Sequence, residues 1–125
     1  MTERTPTRLD AATHRRLMLV LAYLWPLALV PLLVETGDAE VQWHAKHGLL
    51  LTVVEVAILM AWAMTAEALA FLTAGLLGCL FLLMSPLVVL GFLALAVVIH
   101  GLAVARALGG QRLMIPRLSE YTNRF

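Results

Sequence analysis

The stretch GLLLTVVEVAILMAWAMTAEALAFLTAGLLGCLFLLMSPLVVLGFLALAVVIHGLAVA, residues 48–105, decides the fold of this chain. Its 58 residues contain only two charged side chains, Glu55 and Glu67, among Leu, Val, Ala, Met and Phe. A helix that faces water needs a polar face, whereas a helix in lipid needs none and satisfies its backbone internally. The stretch therefore predicts an all-α integral membrane bundle as the fold of the 125-residue chain.

The number of membrane spans follows from the length of the apolar runs. Residues 17–34 are too long for the core of a secretory signal, so they predict a retained first span. About twenty residues cross a bilayer, and proline disfavours helical geometry in the residue before it, so turns are expected at 65–67 and at Ser85-Pro86. Four transmembrane helices are predicted near residues 15–34, 44–65, 67–84 and 86–108. In the three-span alternative, residues 75–85 form a re-entrant or surface segment. Two long helices would also fit residues 48–108.

Positive residues lie almost entirely outside the apolar runs, and acidic residues cluster in the loop 35–40. The positive-inside rule then predicts a multi-pass protein of the bacterial inner membrane with both termini cytoplasmic and the acidic loop outside. The predicted domains are an N-terminal tail (1–14), a transmembrane domain (15–108) and an amphipathic basic tail (109–125). The formal charge of +1 gives no indication of a nucleic-acid partner. The arginines that flank the apolar runs are Arg4, Arg8, Arg15, Arg16, Arg106, Arg112, Arg117 and Arg124.

Polar and ionisable residues are most concentrated at the start of the predicted second helix. With a helical period, His44, His47 and Glu55 lie near one stripe, which suggests a metal site or a proton path. His44 and Glu55 are separated by about 16 Å of helix, too far for all three to hold one ion, so no metal site is predicted. The preferred interpretation is an interfacial cap that fixes helix depth. The predicted interfacial anchors are Trp25, Trp43, Lys46 and Trp62.

Polar residues deeper in the apolar runs are candidates for interhelical bonds. Tyr23 and His100 are expected at a shared depth and are predicted to hydrogen-bond, while Glu55 is expected to bond between helices. No cofactor is predicted; in the alternative, a haem or chlorin is bound through His100, His44 or His47.

The C-terminal tail combines apolar and basic residues. Its apolar side chains, Leu113 among them, are expected on lipid headgroups, while Arg112, Arg117 and Arg124 contact anionic lipid or an acidic partner surface.

The chain lacks Gly-x-Ser-x-Gly, P-loop and His-Glu-x-x-His motifs, so no enzymatic activity is predicted. The composition favours an accessory or assembly subunit of a larger respiratory, photosynthetic or transport complex. A translocation component for a polypeptide, protons or a solute is the first alternative, and a haem or chlorin carrier the second.

Three short segments give the chain a family resemblance. They are Leu21-Ala-Tyr-Leu24 with Pro26, then Trp43-His-Ala-Lys-His-Gly48, then Ala107 with Gly110-Gln-Arg112 and Ile115-Pro116. Over residues 16–120 the chain resembles a family of small bacterial membrane proteins of unknown function. That family is distantly similar to the channel component of the chloroplast inner-envelope protein translocon. The resemblance implies a four-helix bundle without catalytic residues, and His47 stands where many relatives have Gln.

Overall fold

The computed structural model describes residues 8–73 and 75–124, and these residues form helices joined by short connections. No β-strand occurs in this part of the chain, which confirms the all-α prediction. Residues 1–7 of the predicted N-terminal tail lie outside the described residues. The helices are α1 (Arg8–Leu21), a 3₁₀ turn (Trp25–Ala28), α2 (Leu29–Val34), α3 (Ala39–Thr73), α4 (Leu76–Leu108) and α5 (Leu118–Thr122).

The chain divides into two compact units. The terminal unit contains the described residues up to Thr52 and from His100 onward, and the hairpin unit contains Val53–Ile99. Helices α3 and α4 are each long and apolar enough to cross a membrane, and each contributes residues to both units.

The prediction of one helix over residues 15–34 is wrong, because the helix breaks after α1. Pro26 disfavours helical geometry at Trp25, and Trp25 adopts a φ of 45°. The chain then resumes as the 3₁₀ turn and the six-residue α2. Neither α1 nor α2 reaches the length of about twenty residues that crosses a bilayer as a single helix.

The predicted turns at residues 65–67 and at Ser85-Pro86 are also wrong, since both lie inside long helices. The Thr65 hydroxyl donates to the Ala61 carbonyl at 2.7 Å, a local bond that is compatible with a continuing helix. Pro86 removes one backbone donor, which apolar helices tolerate when neighbouring groups compensate. Residues 76–85 belong to α4, so the re-entrant segment of the three-span alternative is not formed either.

The hairpin unit joins α3 to α4 through a tight connection. Gly75 has a φ of 72°, a left-handed conformation that glycine adopts without a side-chain penalty. Near the connection, a Cβ on Gly78 would lie 2.6 Å from the Ala70 carbonyl oxygen, so only glycine permits this approach. Further along, Trp62 Nε1 donates to Ser85 Oγ at 3.3 Å. The two helices therefore pack directly against each other.

The terminal unit has its own buried core. Its main apolar cluster is formed by α1, the turn that follows it, α3 and α4: Met18, Leu19, Ala22, Tyr23, Val41, Ala45, Ala103 and Ala107. The alanines let the helices approach closely. A Cβ on Gly48 would lie 1.8 Å from the Ala22 carbonyl oxygen, so α3 packs against the backbone at the end of α1.

Candidate functional site in the terminal unit

A buried tyrosine between two buried histidines forms the centre of the terminal unit. Tyr23 Oη lies 2.8 Å from His44 Nδ1 and 3.3 Å from His47 Nδ1. The histidines are three residues apart on α3, so helical geometry brings both rings to one face. Tyr23 is 2% exposed, and neither histidine is exposed at all. The sequence predicts His100 as the partner of Tyr23, whereas the structure places His44 and His47 there.

The hydrogen positions of this network follow from its partners. His44 Nε2 lies 3.4 Å from Glu40 Oε1 without forming a hydrogen bond, and the negative charge of that carboxylate favours the tautomer with the proton on Nε2. His44 Nδ1 therefore accepts the single proton of the Tyr23 hydroxyl. His47 must then donate through Nδ1 to Tyr23 Oη, which leaves its Nε2 as an acceptor.

The C-terminal tail completes the network. Ser119 Oγ lies 3.4 Å from His47 Nε2 and accepts from the Ile115 backbone N–H at 2.9 Å. The Ser119 hydroxyl can therefore donate to His47, and both ring nitrogens of His47 have partners. The result is a directional chain of hydrogen bonds from Ser119 through His47 and Tyr23 to His44, whose Nε2 makes no hydrogen bond and lies 3.4 Å from Glu40 Oε1.

Trp43 connects the histidine network to the tail. Its indole ring stacks on His47, with centroids 4.9 Å apart and an interplanar angle of 11°. Its Nε1 donates to Asn123 Oδ1 at 2.8 Å, and the Arg112 guanidinium lies 4.7 Å from its centroid. Trp43 is 7% exposed. The predicted interfacial anchor is thus also a packing centre of the terminal unit.

The tail folds back onto α3. Arg117 adopts a φ of 68° at the start of α5, and this reversal accompanies the burial of Ser119 and Thr122. Leu113, expected on lipid headgroups, packs instead against the core of the terminal unit. Arg124 lies 5.5 Å from the Tyr121 ring. The roles of Ser119 and Asn123 could not be predicted from the sequence, because short polar residues in a tail carry no periodic signal.

The predicted placement of the acidic loop opposite the arginines is wrong. Arg112 donates twice to the Glu40 carboxylate, at 3.0 and 2.7 Å, and Arg15 Nε donates to Asp38 at 2.7 Å. A membrane cannot separate groups at hydrogen-bond distance. The loop therefore lies beside the basic segments before and after the long helices, because opposite charges there pair.

The same contacts set the protonation of the loop. Burial would raise the pKa of Asp38, but hydrogen bonds from Arg15 and from the Val41 backbone N–H outweigh it and lower that pKa. The hydrogen bond to Glu40 raises the pKa of Arg112. Asp38 Oδ1 also accepts from the Glu40 and Val41 N–H groups, at 3.0 and 3.2 Å, and so caps the start of α3.

Gln42 closes the end of the preceding helix. Its Nε2 group lies within hydrogen-bond distance of the Pro31, Leu32 and Glu35 carbonyls, at 3.3, 2.9 and 2.8 Å. The last carbonyls of a helix have no partner inside the helix, so this side chain ties α2 to α3. This role of Gln42 is not evident from the sequence.

A cavity of about 560 Å³ opens beside Trp43. It lies between the first turns of α3 and the tail, entirely within the terminal unit. Lys46, the only lysine of the chain, lines it. The other lining residues with polar side chains are Thr36, Gln42, Trp43, Arg112, Thr122 and Asn123.

The remaining predicted residues lie outside this network. Glu55 is 5% exposed and lies in the hairpin unit, while His100 is half-buried in the terminal unit. Trp62 was expected near a helix end, but α3 continues to Thr73 and places it in the helix interior. Trp25, 43% exposed, stands at the break after α1. An anchoring role for Trp25 stays a prediction.

The hydrogen bonds of the histidines bear on the alternative in which the protein binds a haem or chlorin. His44 Nδ1 and both ring nitrogens of His47 have hydrogen-bond partners, so ligation of haem iron through any of these three atoms would displace a hydrogen bond. His44 Nε2 makes no hydrogen bond and lies 3.4 Å from Glu40 Oε1. Within residues 8–73 and 75–124, no group of three or more His, Cys, Asp or Glu side chains is arranged to hold a metal ion. Haem or chlorin binding at His100 stays a prediction.

Comparisons with protein-family models, with curated proteins and with solved structures found no match to this chain.

Proposed function

We propose that the protein is a non-catalytic subunit of a larger bacterial inner-membrane complex, inserted through its hairpin unit. The observation that carries this proposal is the exposure of apolar side chains on both long helices. In the most apolar 18 residues, only 17% of α3 and 6% of α4 are buried. Apolar surface on this scale needs lipid or other apolar helices to cover it.

The length of the hairpin unit supports two membrane crossings. Its segments 53–73 and 76–99 measure about 31 and 36 Å at 1.5 Å per residue, close to the roughly 30 Å of a hydrocarbon core. Residues 53–99 contain no Lys or Arg, whereas the terminal unit carries Arg15, Lys46 and Arg112. By the positive-inside rule the terminal unit is cytoplasmic, with both termini on that side.

A regular stripe on α4 supports docking against another helix. Leu76, Leu83, Leu90 and Val97 recur every seven residues, and each is between 62% and 87% exposed. Seven-residue spacing keeps side chains on one helix face and is the pattern by which two helices interdigitate. We name these four residues the leucine stripe. Its proposed occupant is an apolar helix of a partner subunit.

The two crossings predict the sidedness of the hairpin connection. In a Cys79→Ala background, a cysteine at Thr73 is expected to react with a membrane-impermeant maleimide in intact spheroplasts. A cysteine at Gln111 is expected to react only after permeabilisation. Labelling of both positions in intact cells, or extraction of the protein by alkaline carbonate, would contradict the proposed insertion.

Docking through the leucine stripe predicts face-specific cross-linking. A photoreactive side chain at Leu83 or Leu90 is expected to yield one defined protein adduct in cells. Leu82, 57% exposed on a different face of α4, is the matched control and is expected to yield at least tenfold less adduct. Equal adducts at Leu82 and Leu83, or a solely monomeric protein in mild detergent, would refute the subunit proposal.

A second candidate function, a proton-translocation component, is favoured by the hydrogen-bonded chain between Ser119 and His44, beside the Glu40 carboxylate. Such a chain can pass a proton by successive rotation and transfer, with the histidines as the groups that exchange it. The Tyr23→Phe variant interrupts the chain at its centre. If this function holds, reconstituted vesicles of the wild-type protein carry a proton flux that the variant lacks, and vesicles of Tyr121→Phe keep it.

A further inference from the structure

The cavity beside Trp43 is rich in hydrogen-bond donors. No hydrogen bond or ion pair joins the Lys46 ammonium group to another residue in the described part of the chain. Arg112 uses two of its five N–H groups on Glu40, which leaves three. Asn123 receives the Trp43 indole N–H through Oδ1, so its amide keeps two N–H donors.

The charge of the cavity is positive. Glu40 and Arg112 neutralise each other through their paired hydrogen bonds, and the charge of Lys46 remains. Lys46 is half-buried and carries this charge at the wall of the cavity, where an anionic ligand would supply a counter-charge. The volume of about 560 Å³ lies within the range of small-molecule sites and exceeds the needs of a simple ion.

We propose that this cavity binds the phosphate group of an anionic organic ligand, with Lys46 as the charge partner and Arg112 and Asn123 as further donors. Phosphate offers several acceptor oxygens, which matches a site with many donors and one uncompensated positive charge. Trp43 supplies an aromatic wall for the organic part. The phosphate can come from an anionic phospholipid headgroup or from a soluble phosphate ester. The site does not depend on the docking of the leucine stripe.

The test measures binding to the full chain in mild detergent, by native mass spectrometry and by the rise in unfolding temperature. The probes are phosphatidylglycerol and glycerol 3-phosphate. Lys46→Gln is expected to weaken binding at least tenfold. Arg106→Gln removes the same charge at an exposed position outside the cavity, and it is expected to bind like the wild type.

Asn123→Asp provides a second variant that keeps the acceptor for Trp43. The substitution replaces the two amide N–H donors of Asn123 by a negatively charged carboxylate oxygen. It is therefore also expected to weaken binding of the phosphate probes at least tenfold. Binding of phosphatidylglycerol alone identifies a lipid headgroup site, and binding of both probes identifies a site for phosphate esters in general. Binding of neither probe, or an equal loss in Lys46→Gln and Arg106→Gln, overturns the proposal.

Discussion

Gly48→Ala is expected to destabilise the terminal unit by about 3 kcal/mol, the upper end of the usual cost of overpacking. The new Cβ would lie 1.8 Å from the Ala22 carbonyl oxygen and 2.9 Å from its carbon. These are backbone atoms, so no side-chain rotation relieves the overlap. Helix α3 would have to move away from Ala22 and Tyr23. Thermal unfolding in detergent, followed by far-ultraviolet circular dichroism, measures the loss.

Gly101→Ala is the matched control for this substitution. Gly101 also lies inside a helix of the terminal unit, but an added Cβ would meet no atom within 4 Å. Alanine costs less backbone entropy in a helix than glycine, so this variant is expected to gain up to about 1 kcal/mol. Unfolding temperatures that match for Gly48→Ala and the wild type would show that α3 does not approach Ala22 as described.

Tyr23→Phe is expected to lower the free energy of unfolding by about 2 kcal/mol, because it keeps the ring and removes only the hydroxyl. His44 Nδ1 then loses its donor and His47 Nδ1–H loses its acceptor, both in a buried site. A buried polar group left without a partner costs about 1–3 kcal/mol. Chemical denaturation in detergent measures the change.

Tyr121→Phe removes the same hydroxyl from a ring that is 55% exposed, and it is expected to change the unfolding free energy by less than about 0.5 kcal/mol. If both variants unfold alike, the hydroxyl of Tyr23 does not hold the histidine pair together. Proton flux measured on the same two variants, at a temperature where both remain folded, separates a relay from a purely structural network.

The helical class and the apolar character of α3 and α4 could be predicted from residues 48–105, because hydropathy is a local property that adds along the chain. The positions at which the individual helices begin and end could not be predicted from the sequence. Turn signals occur at residues 65–67 and at Ser85-Pro86. These local preferences are weak, and continuous helical hydrogen bonding outweighs them at both positions. At Pro26 the same steric rule held, and α1 ends before it.

Tyr23 and the two histidines of the candidate site were singled out from the sequence, but Ser119 and Asn123 were missed and Tyr23 was paired with His100. His44 and His47 could be placed on one face of a helix from their spacing. Their partners come from distant segments: Tyr23 precedes His44 by 21 residues, and Ser119 follows His47 by 72. No periodicity relates such positions.

The sequence by itself determined that the chain is helical and that residues 53–99 carry an apolar surface, since both follow from the side chains of adjacent turns. Only the tertiary structure decided that Tyr23 joins the two α3 histidines, that the acidic loop meets the arginines, and that the tail lines one side of an open cavity beside Lys46. Those contacts depend on which distant segments of the chain come together in the fold. Convergence is decided by the packing of small residues such as Gly48 and by the pairing of buried polar groups across long separations.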